Sequence, residues 1–198
     1  MGLGSKAIYR EIKEIEKSGL DIEDKENIED YLGVNAKEKE NGNIKLTQPQ
    51  IIDSIINNVQ FPKNTTPIQT PALSTKILRR DAASPIFDES FNYRGVVGKL
   101  NFLEKSTWPD ITYAMHKCAH LSQDPRESHG DAIIHLVKYL KATREQVIML
   151  NPKGRKSFEV YANTNFRGNW HRPTAGNNPS IAKYRTGYAI LYAGCPII

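Results

Sequence analysis

Cys118 and Cys195 are the only cysteines in this chain of 198 residues. Two thiols so far apart imply no disulfide framework, and both read as small packed hydrophobes. No apolar run approaches the roughly 20 residues that a membrane-spanning helix needs. The N-terminus lacks the charged-then-apolar layout of a secretory leader, and Lys6 stands where a myristoylation motif requires Ser or Thr. These absences point to an intracellular protein, cytoplasmic or nuclear, with no membrane partner. What is present, 39% hydrophobic and 25% charged residues, is the composition of a soluble globular chain.

The charge is distributed unevenly. Residues 1–60 carry eight Lys/Arg against twelve Asp/Glu, whereas residues 61–198 carry nineteen against ten. A surplus of +9 over the C-terminal two thirds suits phosphate backbones.

Periodicity divides the chain. Ile8, Ile12 and Ile15 place an amphipathic helix over Ala7 to Ser18, ended by Gly19. The stretch from Ile28 to Asn35, the turn-forming pair Asn41-Gly42 and the alternating Ile44 and Leu46 predict a β-hairpin. Thr47 is positioned to cap a following helix, Pro49 suits its first turn, and Ile51, Ile52, Ile55, Ile56 and Val59 form one apolar stripe. From Gln60 to Asp88 periodicity is lost among four prolines, which predicts an extended linker with at most a helical turn near Leu73 to Leu78. Three helical faces follow: Tyr93, Val96, Val97, Leu100 and Leu103; then, after Pro109, Ile111, Ala114, Met115, Cys118 and Leu121; then Ala132, Ile133, Leu136, Val137 and Leu140. Three such faces can bury one another. Strands are predicted at Gln146 to Leu150 and at Ser157 to Asn163.

Two familiar site patterns fail on their residues. His116 and His120 share a helical face with His129 nearby, but Lys117 stands where a zinc-binding helix of the His-Glu type has its Glu, so no metal site is expected. Gly95 to Leu100 lacks both the spacing and the hydroxyl of a phosphate-binding loop. Lys138, Lys141 and Arg144 leave the third central helix, and Lys153, Arg155 and Lys156 follow the next strand. These six cations form either a phosphate-contacting patch or a solvated helix end where cations also suit the macrodipole.

Several runs carry a resemblance: Asp30-Tyr31-Leu32-Gly33-Val34; Gly42, Ile44 and Leu46-Thr47-Gln48; Gly98-Lys99-Leu100-Asn101-Phe102-Leu103; Pro109-Asp110-Ile111; and Arg185-Thr186-Gly187-Tyr188-Ala189-Ile190. Together they resemble the C-terminal part of copia-type retrotransposon Pol polyproteins. The resemblance implies that residues 1–60 are the end of a reverse transcriptase palm with a primer-grip-like hairpin. It makes residues 61–150 a linker with a helical thumb and connection region, and residues 151–198 a truncated ribonuclease H-like domain. Trp108 departs from the Arg that the family usually carries before Pro-Asp-Ile, which removes a cation and adds a bulky ring.

The resemblance also implies where the catalytic groups should be. Copia-type members write Asp where Asn163 and Asn165 stand, because the ribonuclease H reaction uses Mg²⁺ held by carboxylates. An Asn carbonyl is neutral and its amide half is a donor, so both positions are degenerate for that chemistry. Polymerisation depends on a paired-aspartate turn, and no two aspartates are adjacent in this chain. The expectation is that this motif lies upstream of Met1 and the remaining acids beyond Ile198.

The sequence therefore predicts a mixed α+β chain: an N-terminal helix and β-hairpin, a central three-helix region and an incomplete ribonuclease H-like sheet. It predicts a degenerate Pol fragment that is no enzyme by itself, has no cofactor of its own and at most binds RNA:DNA hybrid or duplex DNA. The alternatives are an adaptor module derived from a retrotransposon and a subunit completed by a fuller Pol chain. A sheet lacking its later strands leaves an open edge, which predicts self-association.

Overall fold

The isoleucine stripe at positions 51 to 56 becomes one wall of the hydrophobic core in a computed structural model of the chain. Residues 3–20, 33–60, 65–72, 78, 83–152, 157–165 and 185–196 are described. In chain order the elements are α1 (Leu3–Lys17), β1 (Asn35–Glu38), β2 (Ile44–Thr47), α2 (Pro49–Val59) and α3 (Tyr93–Ser106). A 3₁₀ turn (Pro109–Ile111), α4 (Thr112–Ala119), α5 (Glu127–Ala142) and β3 (Ile148–Leu150) come next. The chain then forms β4 (Phe158–Asn165), β5 (Arg185–Tyr192) and β6 (Cys195–Pro196). The fold is mixed α+β, with five helices and two antiparallel three-stranded sheets among the described residues.

The helices assemble as their periodicity predicts. α3 packs on α2 and α4, and α5 packs on the same two. Ile55, Val96, Leu100, Ile111, Ile133 and Leu136 are fully buried between them. Burial of each such aliphatic side chain contributes about 1.5–3 kcal/mol. Trp108 lies in this core, its ring edge-on to Tyr139 at 6.3 Å. The Tyr93 hydroxyl donates to the Cys118 carbonyl at 3.0 Å, and that of Tyr139 donates to Asp110.

Asn41-Gly42 makes the hairpin turn, with Gly42 at φ +77° and the Asn41 side chain accepting from the Asn43 N–H. The strand that follows α5 is shorter than its sequence pattern, Ile148–Leu150. It pairs antiparallel with β2, Ile148 opposite Leu46 and Leu150 opposite Ile44. The order β1-β2-β3 thus ties the chain after the last helix to the chain before α2.

Other local expectations are corrected. Gln48, not Thr47, is the residue before α2, and it makes no capping bond. It is buried instead, and its Oε1 accepts from the Thr107 hydroxyl at 2.8 Å, joining the hairpin to the end of α3. Pro109 opens a 3₁₀ turn before α4 because its fixed φ suits a first turn and its missing N–H costs nothing there. α1 begins at Leu3, earlier than the periodicity suggests, and leaves Ile15 exposed. The segments 28–32 and 73–77 and the pair Arg79-Arg80 lie outside the described residues.

In the second sheet, β4 pairs with β5 along its full length and β5 with β6. Phe158, Val160 and Ala162 lie opposite Tyr192, Ile190 and Tyr188, so over these three pairs one face carries apolar and aromatic side chains. Much of it is open to solvent: Phe158 is 69% exposed, Val160 67% and Tyr188 62%. Among the described residues, no helix is long and apolar enough to cross a membrane.

Candidate functional site

β4 presents the two positions at which the resemblance places metal-binding aspartates. Asn163 is exposed and faces Gly187 across the ladder, while Asn165 stands in register with Arg185. Glu159 shares the strand face of Asn163 but lies four residues back, roughly 13 Å along an extended chain. Its carboxylate accepts from the Tyr161 hydroxyl at 2.9 Å, and this bond holds the phenol above its ordinary pKa. Two neutral amides, a glycine and a cation do not make the charged oxygen set that Mg²⁺ requires. The residues at this strand end therefore do not fit the ion that the family uses.

The histidines sit apart from one another in chemistry. His116 is exposed, with Nε2 at 3.4 Å from the buried Glu104 carboxylate, whose other oxygen accepts from the Thr112 hydroxyl at 2.5 Å. His129 is buried, and its Nδ1 accepts from the Arg126 N–H at 3.0 Å. Among the described residues, no three His, Cys, Asp or Glu side chains are grouped to hold a metal ion.

Of the six predicted cations, three are described. Lys141 is exposed and Lys138 half-buried on α5. Arg144 is turned inward to α2, where its Nε and Nη2 meet both carboxylate oxygens of Asp53 at 2.7 and 2.6 Å; its Nη1 meets Glu145 at 2.8 Å. Two carboxylates thus offset its charge. Lys153, Arg155 and Lys156 lie outside the described residues.

A different cationic surface runs along α3 and α4. Arg94, Gly98, Phe102 and Lys105 repeat at intervals of four, four and three, one exposed stripe of α3. Tyr113, His116 and His120 form the exposed side of α4, with Lys117 half-buried over the Tyr113 ring at 5.6 Å. The two stripes adjoin. Arg94 Nε donates to the Ser122 carbonyl just past α4 at one end, and Glu104 meets Thr112 and His116 at the other. The acids within residues 93–123 are Glu104, buried beneath this surface, and Asp110, which accepts from Tyr139. The sequence reading did not single out the stripe on α3, although helical spacing marks it, and the pairing of α3 with α4 is a tertiary fact.

The chain is related to retrotransposon Pol polyproteins of the Ty5 and copia type, at low identity. It is 24% identical over 194 residues to a putative transposon Ty5-1 protein of Saccharomyces cerevisiae, spanning 98% of this chain and 59% of that protein. It is 27% identical over 147 residues to the retrovirus-related Pol polyprotein from transposon RE1 of Arabidopsis thaliana, and 23% over 144 to that from transposon TNT 1-94 of Nicotiana tabacum. These matches take in 74% and 70% of this chain but only 10% and 11% of the polyproteins. No protein-family model and no solved structure matches.

Proposed function

We propose that this chain is a non-catalytic, Pol-derived module that binds nucleic-acid duplex. The observation that carries the first half is the donor set on β4: Asn163 and Asn165 stand where the family's aspartates are expected, and the nearest acid on that face, Glu159, is tied to Tyr161. Loss of a bridging carboxylate removes the charge that positions the metal at the reacting phosphate, and the rate falls with it. No adjacent aspartates supply a polymerase site either. The second half is supported by the +9 surplus over residues 61–198 and by surfaces, on α3–α4 and at Lys138 and Lys141 on α5, that present cations to solvent.

The test is a fluorescently labelled RNA:DNA hybrid titrated with the chain over a salt series, with Mg²⁺ present. Binding whose logarithm falls linearly with the logarithm of salt, without cleavage, is the expected result. Mg²⁺-dependent cleavage that survives extensive purification overturns the non-catalytic half, and no binding at low salt overturns the other. A second reading, a subunit completed by a fuller Pol chain, is favoured by the open apolar face of β4 and β5. It predicts co-purification with such a chain.

A further inference from the structure

We infer that the cavity at the N-terminal end of α3 is a site for a small zwitterion, an α-amino acid with an apolar side chain, and this assignment is independent of any nucleic-acid binding. The cavity lies between residues 87–94 and the segment 122–125 that follows α4. Its volume is about 610 Å³, within the range of small-molecule sites.

The floor is apolar and firmly held. Phe87 and Phe91 are buried and meet edge-on at 4.9 Å, and the Phe87 N–H donates to the Pro125 carbonyl at 3.1 Å. The ring edges offer an apolar side chain a preformed contact.

One side of the cavity collects donors. Arg94 donates through Nε to the Ser122 carbonyl at 3.0 Å, and among the described residues its two Nη groups have no partner. Asn92 accepts from the Gly95 N–H through Oδ1 at 2.9 Å, which leaves its amide N–H groups as donors at the first turn of α3. Ser122 Oγ is buried with no hydrogen-bond partner among the described residues, a cost that a ligand's polar group would remove. These groups suit a carboxylate, which the positive end of the α3 dipole also favours.

Glu89 supplies the opposite charge. It is exposed and forms no ion pair or hydrogen bond among the described residues. Its backbone stands at φ +56°, in the left-handed region that glycine enters freely and a glutamate does not. A carboxylate kept there at a conformational cost points to a partner for that carboxylate, and an ammonium group is one. The two charges together select the ligand class. Within the cavity a simple carboxylate or a phosphate ester sets its charge against Glu89, and a simple amine sets its charge against Arg94. A zwitterion meets both.

The experiment is saturation-transfer NMR on the full chain with three probes: L-phenylalanine, phenylpropionate, which lacks the amine, and phenethylamine, which lacks the carboxylate. Variants are used after circular dichroism confirms native helix content. L-phenylalanine is expected to bind with a millimolar Kd, and each analogue at least about tenfold more weakly. E89Q should weaken L-phenylalanine by a similar factor and strengthen phenylpropionate, because the repelling carboxylate is gone; R94Q should weaken L-phenylalanine and strengthen phenethylamine. E89G should lose L-phenylalanine while its melting temperature is kept or raised, which separates loss of the ligand from loss of the fold. Absence of L-phenylalanine binding to the parent chain overturns the proposal. So does binding that E89Q and R94Q leave unchanged, or equal binding of the three probes.

Discussion

Arg144 and Asp53 form a two-pronged ion pair across ninety-one residues of sequence, Nε to Oδ1 and Nη2 to Oδ2, fastening the end of α5 to the middle of α2. The guanidinium holds the Asp53 carboxyl below its ordinary pKa, chiefly through the hydrogen bonds, and Asp53 raises that of Arg144 in turn. Since the folded value for Asp53 lies below the unfolded one, its contribution to stability is present above the usual carboxylate range. It fades as pH falls through the lowered value. Both side chains are partly exposed, so Asp53→Asn should cost about 1 kcal/mol or less at pH 7. The difference between variant and parent in urea unfolding should narrow toward pH 3. An equal difference at both pH values would contradict this account.

Cys118 should be chemically silent in the folded chain. Burial pushes its thiol up to about 12, against the smaller opposing effect of the Tyr93 hydrogen bond. Thiolate is the reactive form, so iodoacetamide at pH 8 should leave Cys118 unmodified and label it quickly after denaturation. Mass spectrometry of the peptide spanning Cys118 reads the outcome.

Gly130 leaves no room for a methyl group. A Cβ there would meet the Phe87 ring at 2.5 Å, and that ring is wedged edge-on against Phe91 and Tyr93. Gly130→Ala should destabilise by about 1–3 kcal/mol through overpacking, although alanine is the better helix former. Thermal unfolding measures it, and an unchanged or raised melting temperature would show that the ring moves aside.

Leu136→Ala removes a fully buried side chain from α5 and should cost about 2–5 kcal/mol. The same exchange at Tyr188, which is exposed on β5, should cost far less in stability. Its effect should appear instead in self-association: sedimentation velocity should find concentration-dependent association of the parent and less of it in Tyr188→Lys. A parent that is monomeric at high concentration would refute the role given to the apolar face.

The central helices were legible because their buried positions recur with the helical period, and Leu100, Ile111, Leu136 and Leu140 lie where that period places them. The hairpin was legible because Asn41-Gly42 is a local signal. β3 was readable as a strand, but its pairing with β2 was not, since nothing near residue 148 records what lies at residue 46. Arg144 read as a free cation for the same reason: its partner is on another helix. Gln48 showed no sign of burial, because a glutamine enters a core only when a partner such as Thr107 receives it. At the candidate site, residue chemistry at Asn163 and Asn165 was visible directly, whereas the α3–α4 face needed the packing of two helices to bring its stripes together.

The return of β3 to β2 makes a clasp. Leu46 and Ile148 face each other across about a hundred intervening residues, so the contact closes late and raises the contact order of an otherwise helical body. Once closed, it makes the peptide between α2 and α3 dispensable for holding the pieces together. A chain cleaved between Gln60 and Ala83 should stay one particle in size-exclusion chromatography, and its two halves, made separately, should find each other through the clasp and the shared core.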